Sequence, residues 1–272
     1  MHLTAAYDNR AHVGDWRGVL ARWAEDSARL YKTKSVHRDL RYGASPRQRL
    51  DFFPASTAGR PTLLYIHGGY WQWIDKEDEA FVAEGMLTHD INVVLCEYRL
   101  CPEVQFDDVV DDVGAAADWL AGRLADYGGD PNRLFVAGSS AGAHLAATLL
   151  GRSSVKGALL VSGIYDLEPI VHTGLNDALG LSIAAAGRNS PILYLPRSSV
   201  PVCFAMGADE LPEMKRQTSD YYAAWKMHGL QGWCETVSGA NHFTVMDQLQ
   251  QSDGILMRAV LRLCGMRTSI DR

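Results

Sequence analysis

Ser140 stands at the centre of Gly138-Ser139-Ser140-Ala141-Gly142, a G-x-S-x-G pattern, and two groups that such a serine would need follow it in the chain: the carboxylate pair Asp209-Glu210 and then His242. A serine hydroxyl is a weak nucleophile at neutral pH. Acyl transfer through it requires an adjacent base, and that base requires a third group to hold its tautomer and stabilise the imidazolium. Of the nine histidines, only His242 has both a serine and a carboxylate upstream and a glycine-containing loop, Ser238 to Phe243, around it. The residues alone leave open whether Asp209 or Glu210 faces it. A glycosidase-type pair is disfavoured, because two adjacent acids on one loop do not flank a sugar from opposite sides. The remaining requirement is a set of amides for an oxyanion. His67-Gly68-Gly69-Tyr70-Trp71 offers the N–H groups of Gly69 and Tyr70, and Ala141 offers a third from the residue after the serine. His67 is expected to tie this loop down rather than transfer protons.

These groups need a scaffold that brings distant loops to one rim, and the hydrophobic pattern supplies it. Apolar runs at 62–66, 91–98, 133–138, 155–162 and 201–206 alternate with helical spacing at 76–88, 107–127, 143–150 and up to 228. Both-faces-buried strands alternating with helices predict a mainly parallel sheet covered on each side, an α/β fold in one domain spanning 1–272. The nucleophile then occupies a sharp strand-to-helix turn. A positive φ and a close approach of strand and helix there would leave no room for Cβ atoms at Gly138 and Gly142. Strands at 36–42 and 48–54 read as an antiparallel edge pair. The pattern predicts an amphipathic helix from Trp16 to about Leu30, making 1–30 an N-terminal cap. A Pro- and Gly-rich stretch, 166–198, reads as a lid insertion where substrate is selected. A short strand near 232–237 and a helix to about Cys264 complete the chain.

Composition excludes several alternatives. A net charge of −6 provides no field for nucleic acid or an anionic membrane, and no apolar run reaches the length of a membrane span. The first ten residues lack the apolar core of a secretory signal, so the expected location is the cytoplasm. The five cysteines are scattered, without C-x-x-C or zinc spacing, and are expected to be reduced core thiols. The expected partner is a small-molecule substrate; a homodimer is compatible with the sequence.

Together, His67-Gly68-Gly69-Tyr70-Trp71, Tyr98-Arg99-Leu100-Cys101-Pro102-Glu103, Gly138-Ser139-Ser140-Ala141-Gly142, Gly207 to Glu213, Asn241-His242-Phe243 and Tyr7-Asp8-Asn9-Arg10-Ala11 resemble the serine-dependent kynurenine formamidase (arylformamidase) branch of the hormone-sensitive-lipase-like α/β-hydrolases. The chain order serine, acid, histidine is that of α/β-hydrolases. In the branch it resembles, the acid is commonly an Asp followed by x-Pro-Glu. Glu210 occupies that position here, and the departure keeps Asp209 as an alternative. The resemblance implies hydrolysis of N-formyl-L-kynurenine by Ser140, His242 and Glu210, with Gly69, Tyr70 and Ala141 at the oxyanion and no metal or organic cofactor. Trp71 and Tyr165 are the substrate-contact candidates, and Tyr70 and Trp73 lie where an aromatic leaving group could stack. A carboxylesterase acting on small acyl or aryl esters would use the same groups.

Overall fold

The computed structural model describes residues 3–197 and 200–266; residues 1 and 2 of the expected cap and residue 198 of the expected insertion lie outside them. Eight strands form one sheet: β1 His37–Arg41, β2 Arg49–Phe53, β3 Arg60–Ile66, β4 Asn92–Cys96, β5 Gly129–Ser139, β6 Val155–Val161, β7 Val202–Gly207 and β8 Gly232–Val237. Their spatial order is β1-β2-β4-β3-β5-β6-β7-β8. β1 and β2 run antiparallel, β2 pairs antiparallel with β4, and every pairing from β4 to β8 is parallel. β2 is therefore interior rather than an edge strand, and all its residues are buried.

The helices are α1 Leu3–Ala6, α2 Asn9–His12, α3 Trp16–Thr33, α4 Ala83–Thr88, α5 Phe106–Ala121, α6 Ala141–Thr148, α7 Glu168–Val171, α8 Asn176–Leu179, α9 Ile183–Arg188, α10 Pro212–Met227, α11 Asp247–Gln250 and α12 Ile255–Leu263. Side chains alternate across the pleat, so each strand feeds two cores. Leu64, Ile66, Val94, Val136 and Leu160 join α5, α6 and α10 on one face. Leu63, Tyr65, Val93, Phe135 and Leu159 join α3, α4 and α12 on the other. Among the described residues no helix is long and apolar enough to cross a membrane.

Three expected helices are shorter than their apolar spacing suggests. The 76–88 segment is helical only from a 3₁₀ turn at Ala80–Val82 through α4. Its first residues are drawn into tertiary contacts: Lys76 is buried beside Asp39 and Asp51, at 3.1 and 3.2 Å, and Asp78 accepts the Asp75 N–H. The 107–127 segment breaks after α5 at Gly122, and the C-terminal helix is divided between α11 and α12. The insertion is not irregular throughout; it contains α7, α8 and α9, each of one or two turns.

Candidate active site

The parallel strands deliver their carboxyl ends to one rim, where α/β folds place their ligand crevices. β5 ends at Ser139, and Ser140 adopts φ 53° and ψ −117° before α6 begins. This conformation is strained for a residue with a Cβ, and the Ser140 N–H is fixed to Val161 O at 2.8 Å. The positive φ belongs to the serine, and neither Gly138 nor Gly142 shares it. Those glycines are needed for proximity alone. A Cβ at Gly142 would strike the carbonyls of Ile66 and His67, and one at Gly138 would strike the carbonyl of Gly142.

The loop after β7 separates the two candidate acids. Asp209 is exposed, and its backbone carbonyl faces His12 Nε2 at 2.9 Å. Glu210 is 2% exposed. Its Oε1 accepts from Ser162 Oγ and the Gly207 N–H, both at 2.5 Å, and its Oε2 lies 3.0 Å from His242 Nδ1. Three donors thus hold one carboxylate, and Nδ1–H of the imidazole is committed to it. Nε2 is left as the basic nitrogen of His242. His242 and Ser140 line the same cavity.

The loop after β3 folds through three successive left-handed residues, Gly69 (φ 92°), Tyr70 (φ 51°) and Trp71 (φ 59°). Gly69 O caps the turn by accepting from Gln72 and Trp73 N–H. Among the described residues the N–H groups of Gly69 and Tyr70 have no protein acceptor, and the Ala141 N–H is one of the unpaired amides of a helix start. His67 lies beneath this loop, stacked on Tyr98 at 4.3 Å. Its ring nitrogens face Gly68 O at 3.0 Å and Glu97 Oε1 at 3.2 Å. Burial opposes its charged form, but two acceptors, one a carboxylate, leave its pKa raised.

A cavity of about 540 Å³ opens over Ser140 and His242, a size suited to a small ligand. Gly68, Gly69 and Tyr70 line it together with Tyr7, Asp8, Asn9, Arg10, Trp16 and Trp73. Two of the substrate-contact expectations are corrected here. Trp71 is fully buried and does not line the cavity; its Nε1–H donates to His144 Nδ1 at 3.2 Å and its ring packs edge-on against Phe106. The left-handed backbone turns that ring into the core, while Tyr70 and Trp73 remain at the cavity. Tyr165 is likewise fully buried, its ring against Tyr221 at 4.5 Å and its N–H on Gln217.

Two groups at the cavity escaped the reading from sequence. Glu79 is buried beneath the loop, where burial raises its pKa; it accepts from Tyr65 OH at 2.5 Å and from Ser139 Oγ at 3.1 Å. The other is the role of the segment before α3, which belonged to the expected cap with no contact assigned to it. Tyr70 OH donates to Tyr7 O at 2.5 Å and accepts from Asn9 Nδ2 at 3.0 Å, while Tyr7 OH donates to Glu213 at 2.7 Å. The signal available was Tyr7 to Ala11 itself, which resembled the family without indicating a role.

Comparison with known proteins fits this arrangement. Residues 63–206 match the family model of the α/β-hydrolase fold. The kynurenine formamidase of Danio rerio is 33% identical over 242 residues, covering 84% of this chain and 81% of that protein. An isoprenylcysteine α-carbonyl methylesterase of Arabidopsis thaliana is 33% identical over a shorter stretch, 46% of this chain and 30% of that protein. Among solved structures, a Silicibacter protein assigned as a thioesterase superposes with a TM-score of 0.85 at 25% identity, over 95% of this chain and 98% of that one.

Proposed function

Since the chain belongs to the α/β-hydrolase family and, within it, to the kynurenine formamidases, we propose that it is a serine hydrolase that cleaves an aryl formamide, N-formyl-L-kynurenine, to L-kynurenine and formate. Ser140 Oγ attacks the formyl carbon while His242 Nε2 accepts the hydroxyl proton. Glu210 holds the imidazole through Nδ1 and stabilises the positive charge that forms there. The carbonyl oxygen becomes an oxyanion held by the N–H groups of Gly69, Tyr70 and Ala141. Each such donor is worth about 3 kcal/mol in related enzymes. Collapse of the tetrahedral intermediate breaks the C–N bond, and His242 returns the proton to the departing arylamine. Water, deprotonated by His242, then attacks the formyl ester, releasing formate and restoring Ser140.

The observation that carries this reading is Glu210 fixed on Nδ1 of His242, which lines the same cavity as Ser140. The aromatic lining of that cavity, with Trp16, Trp23, Tyr70, Trp73 and Phe243, supports an aryl leaving group over an alkyl one. We assign the protein to the cytoplasm, where its five free cysteines would stay reduced. The test is the ratio of kcat/KM for N-formyl-L-kynurenine and p-nitrophenyl acetate. A formamidase turns over the formamide with the higher efficiency. An ester preference of several orders of magnitude would replace this reading with a carboxylesterase, for which the methylesterase similarity is the supporting observation.

A further inference from the structure

We propose that Arg10 is the residue that selects substrates carrying a carboxylate, by pairing with that group at the cavity mouth. The identity of the substrate rests on the formamidase reading; the preference for a carboxylate does not. Arg10 lines the cavity that contains Ser140 and His242. Its guanidinium lies over two indole rings, 4.4 Å from the centroid of Trp73 and 5.0 Å from that of Trp16. A cation–π contact draws on the charge of the guanidinium and forms no hydrogen bond to a carboxylate, so its N–H donors remain for another partner. Among the described residues Arg10 has no ion pair, unlike Arg22, Arg47, Arg60, Arg99 and Arg216, which each have a carboxylate at 2.5 to 2.8 Å; Arg17, Arg41, Arg49, Arg123 and Arg133 also lack one, but of these arginines only Arg10 lines the cavity.

The carboxylate nearest in sequence is otherwise engaged: Asp8 Oδ1 caps α2 by accepting the Ala11 N–H at 2.9 Å. Arg17, over the same Trp16 ring at 4.3 Å, adds a second positive charge nearby. In a chain of net charge −6, a cationic spot at the entrance to a hydrolytic cavity favours approach of an anion. The position is also preorganised. Asn9 on one side is hydrogen-bonded to Tyr70 OH at 3.0 Å, and His12 on the other reaches Asp209 O at 2.9 Å. Arg10 is therefore carried on a segment fixed to both the oxyanion loop and the acid loop, so little freedom remains to be lost on binding. An aryl group among Trp73, Tyr70 and Trp16 with an acid at its far end would place that acid on Arg10.

The test compares ligands that differ only in charge. Binding of 4-oxo-4-phenylbutanoate and of its methyl ester to the wild-type protein is measured by calorimetry, then to Arg10→Gln and Arg10→Lys. The wild type should prefer the acid by about tenfold to a hundredfold, the span expected of a charge-assisted hydrogen-bonded pair. That preference should shrink as salt is raised, collapse in Arg10→Gln and recover in part in Arg10→Lys. For hydrolysis of N-formyl-L-kynurenine, Arg10→Gln should raise KM far more than it lowers kcat. An acid bound no better than its ester by the wild type, or equal losses for both ligands in Arg10→Gln, would overturn the proposal. Should Arg10→Gln not fold, the wild-type preference, its salt dependence and Arg10→Lys decide the matter. Failure of the formamidase reading appears separately, as a wild-type preference for p-nitrophenyl acetate in turnover.

Discussion

Two parts of the cavity lining are built on different principles. On the sheet side, Ser140, the Gly69-Tyr70 amides, Glu210 and His242 sit at strand ends where backbone presses on backbone, so tightly that Gly138 and Gly142 cannot carry a side chain. On the peripheral side, Tyr7 to Arg10, Trp16, Trp73 and Leu175 come from short helices and loops joined by side-chain hydrogen bonds and cation–π contacts. One side is fixed by the fold itself and the other by contacts that individually contribute about 1 kcal/mol. The first kind of construction suits chemistry, which tolerates little displacement; the second suits selection, which can vary while the reaction is kept.

The comparison predicts a steep ranking of effects. Ser140→Ala should reduce kcat by about a millionfold with no loss of thermal stability, since removing the nucleophile of such a set costs about as much as removing the whole. Retention of more than a few per cent of activity would mean that the sheet side does not carry the reaction. Glu210→Gln comes next, with a fall of about ten-thousandfold, because an amide presented to Nδ1 no longer enforces the tautomer that leaves Nε2 basic. Asp209→Asn, on an exposed side chain of the same loop, should stay near wild type. A reversal of these two results would shift the acid by one residue. Gly142→Ala should cost about 3 kcal/mol of stability, as added atoms do in closely packed sites, and most of the activity. Denaturant midpoints and kcat/KM read both effects. An Ala at this position that leaves both unchanged would show that the elbow can relax, and the contrast between the two sides would weaken.

The same contrast explains what could be read from the sequence. Ser140, His242, Gly69 and the parallel sheet leave marks because strained turns and buried strands restrict which residue types can stand there. Glu210 was one of two candidates, since a shift of one residue exchanges a buried carboxylate for an exposed one and adjacent acids look alike along the chain. Trp71 and Tyr165 were misplaced for a related reason. Tyr70, Trp71 and Trp73 are three aromatics within four residues, and only the left-handed backbone at 69–71 decides which of them turns into the core. Arg10 and Glu79 act through partners 60 or more residues away in the chain, which no local pattern encodes: Trp73 for the first and Ser139 for the second.

A further predicted effect concerns a seam outside the cavity, where α6 and Trp71 meet the insertion. His144, on α6, accepts the Trp71 Nε1–H at Nδ1 and donates from Nε2 to the carbonyl of Asn189 at the end of α9, at 2.7 Å. One neutral tautomer satisfies both bonds, and burial pushes its pKa down to about 4 from an ordinary value of 6.5. Well above pH 6.5 the imidazole is neutral whether the chain is folded or unfolded, and it contributes no pH dependence. As pH falls from 6.5 towards 4, the unfolded chain takes up a proton that the folded protein resists, so stability declines to a limit of about 3 kcal/mol. Protonation would also remove the acceptor for Trp71 and set that indole against the insertion. Denaturant midpoints of wild type and His144→Gln, followed from pH 7.5 to 4, should diverge across this window, the wild type losing more because the amide keeps a donor and an acceptor but does not titrate. Parallel curves would mean that His144 titrates normally, and that the seam between the sheet side and the insertion admits water.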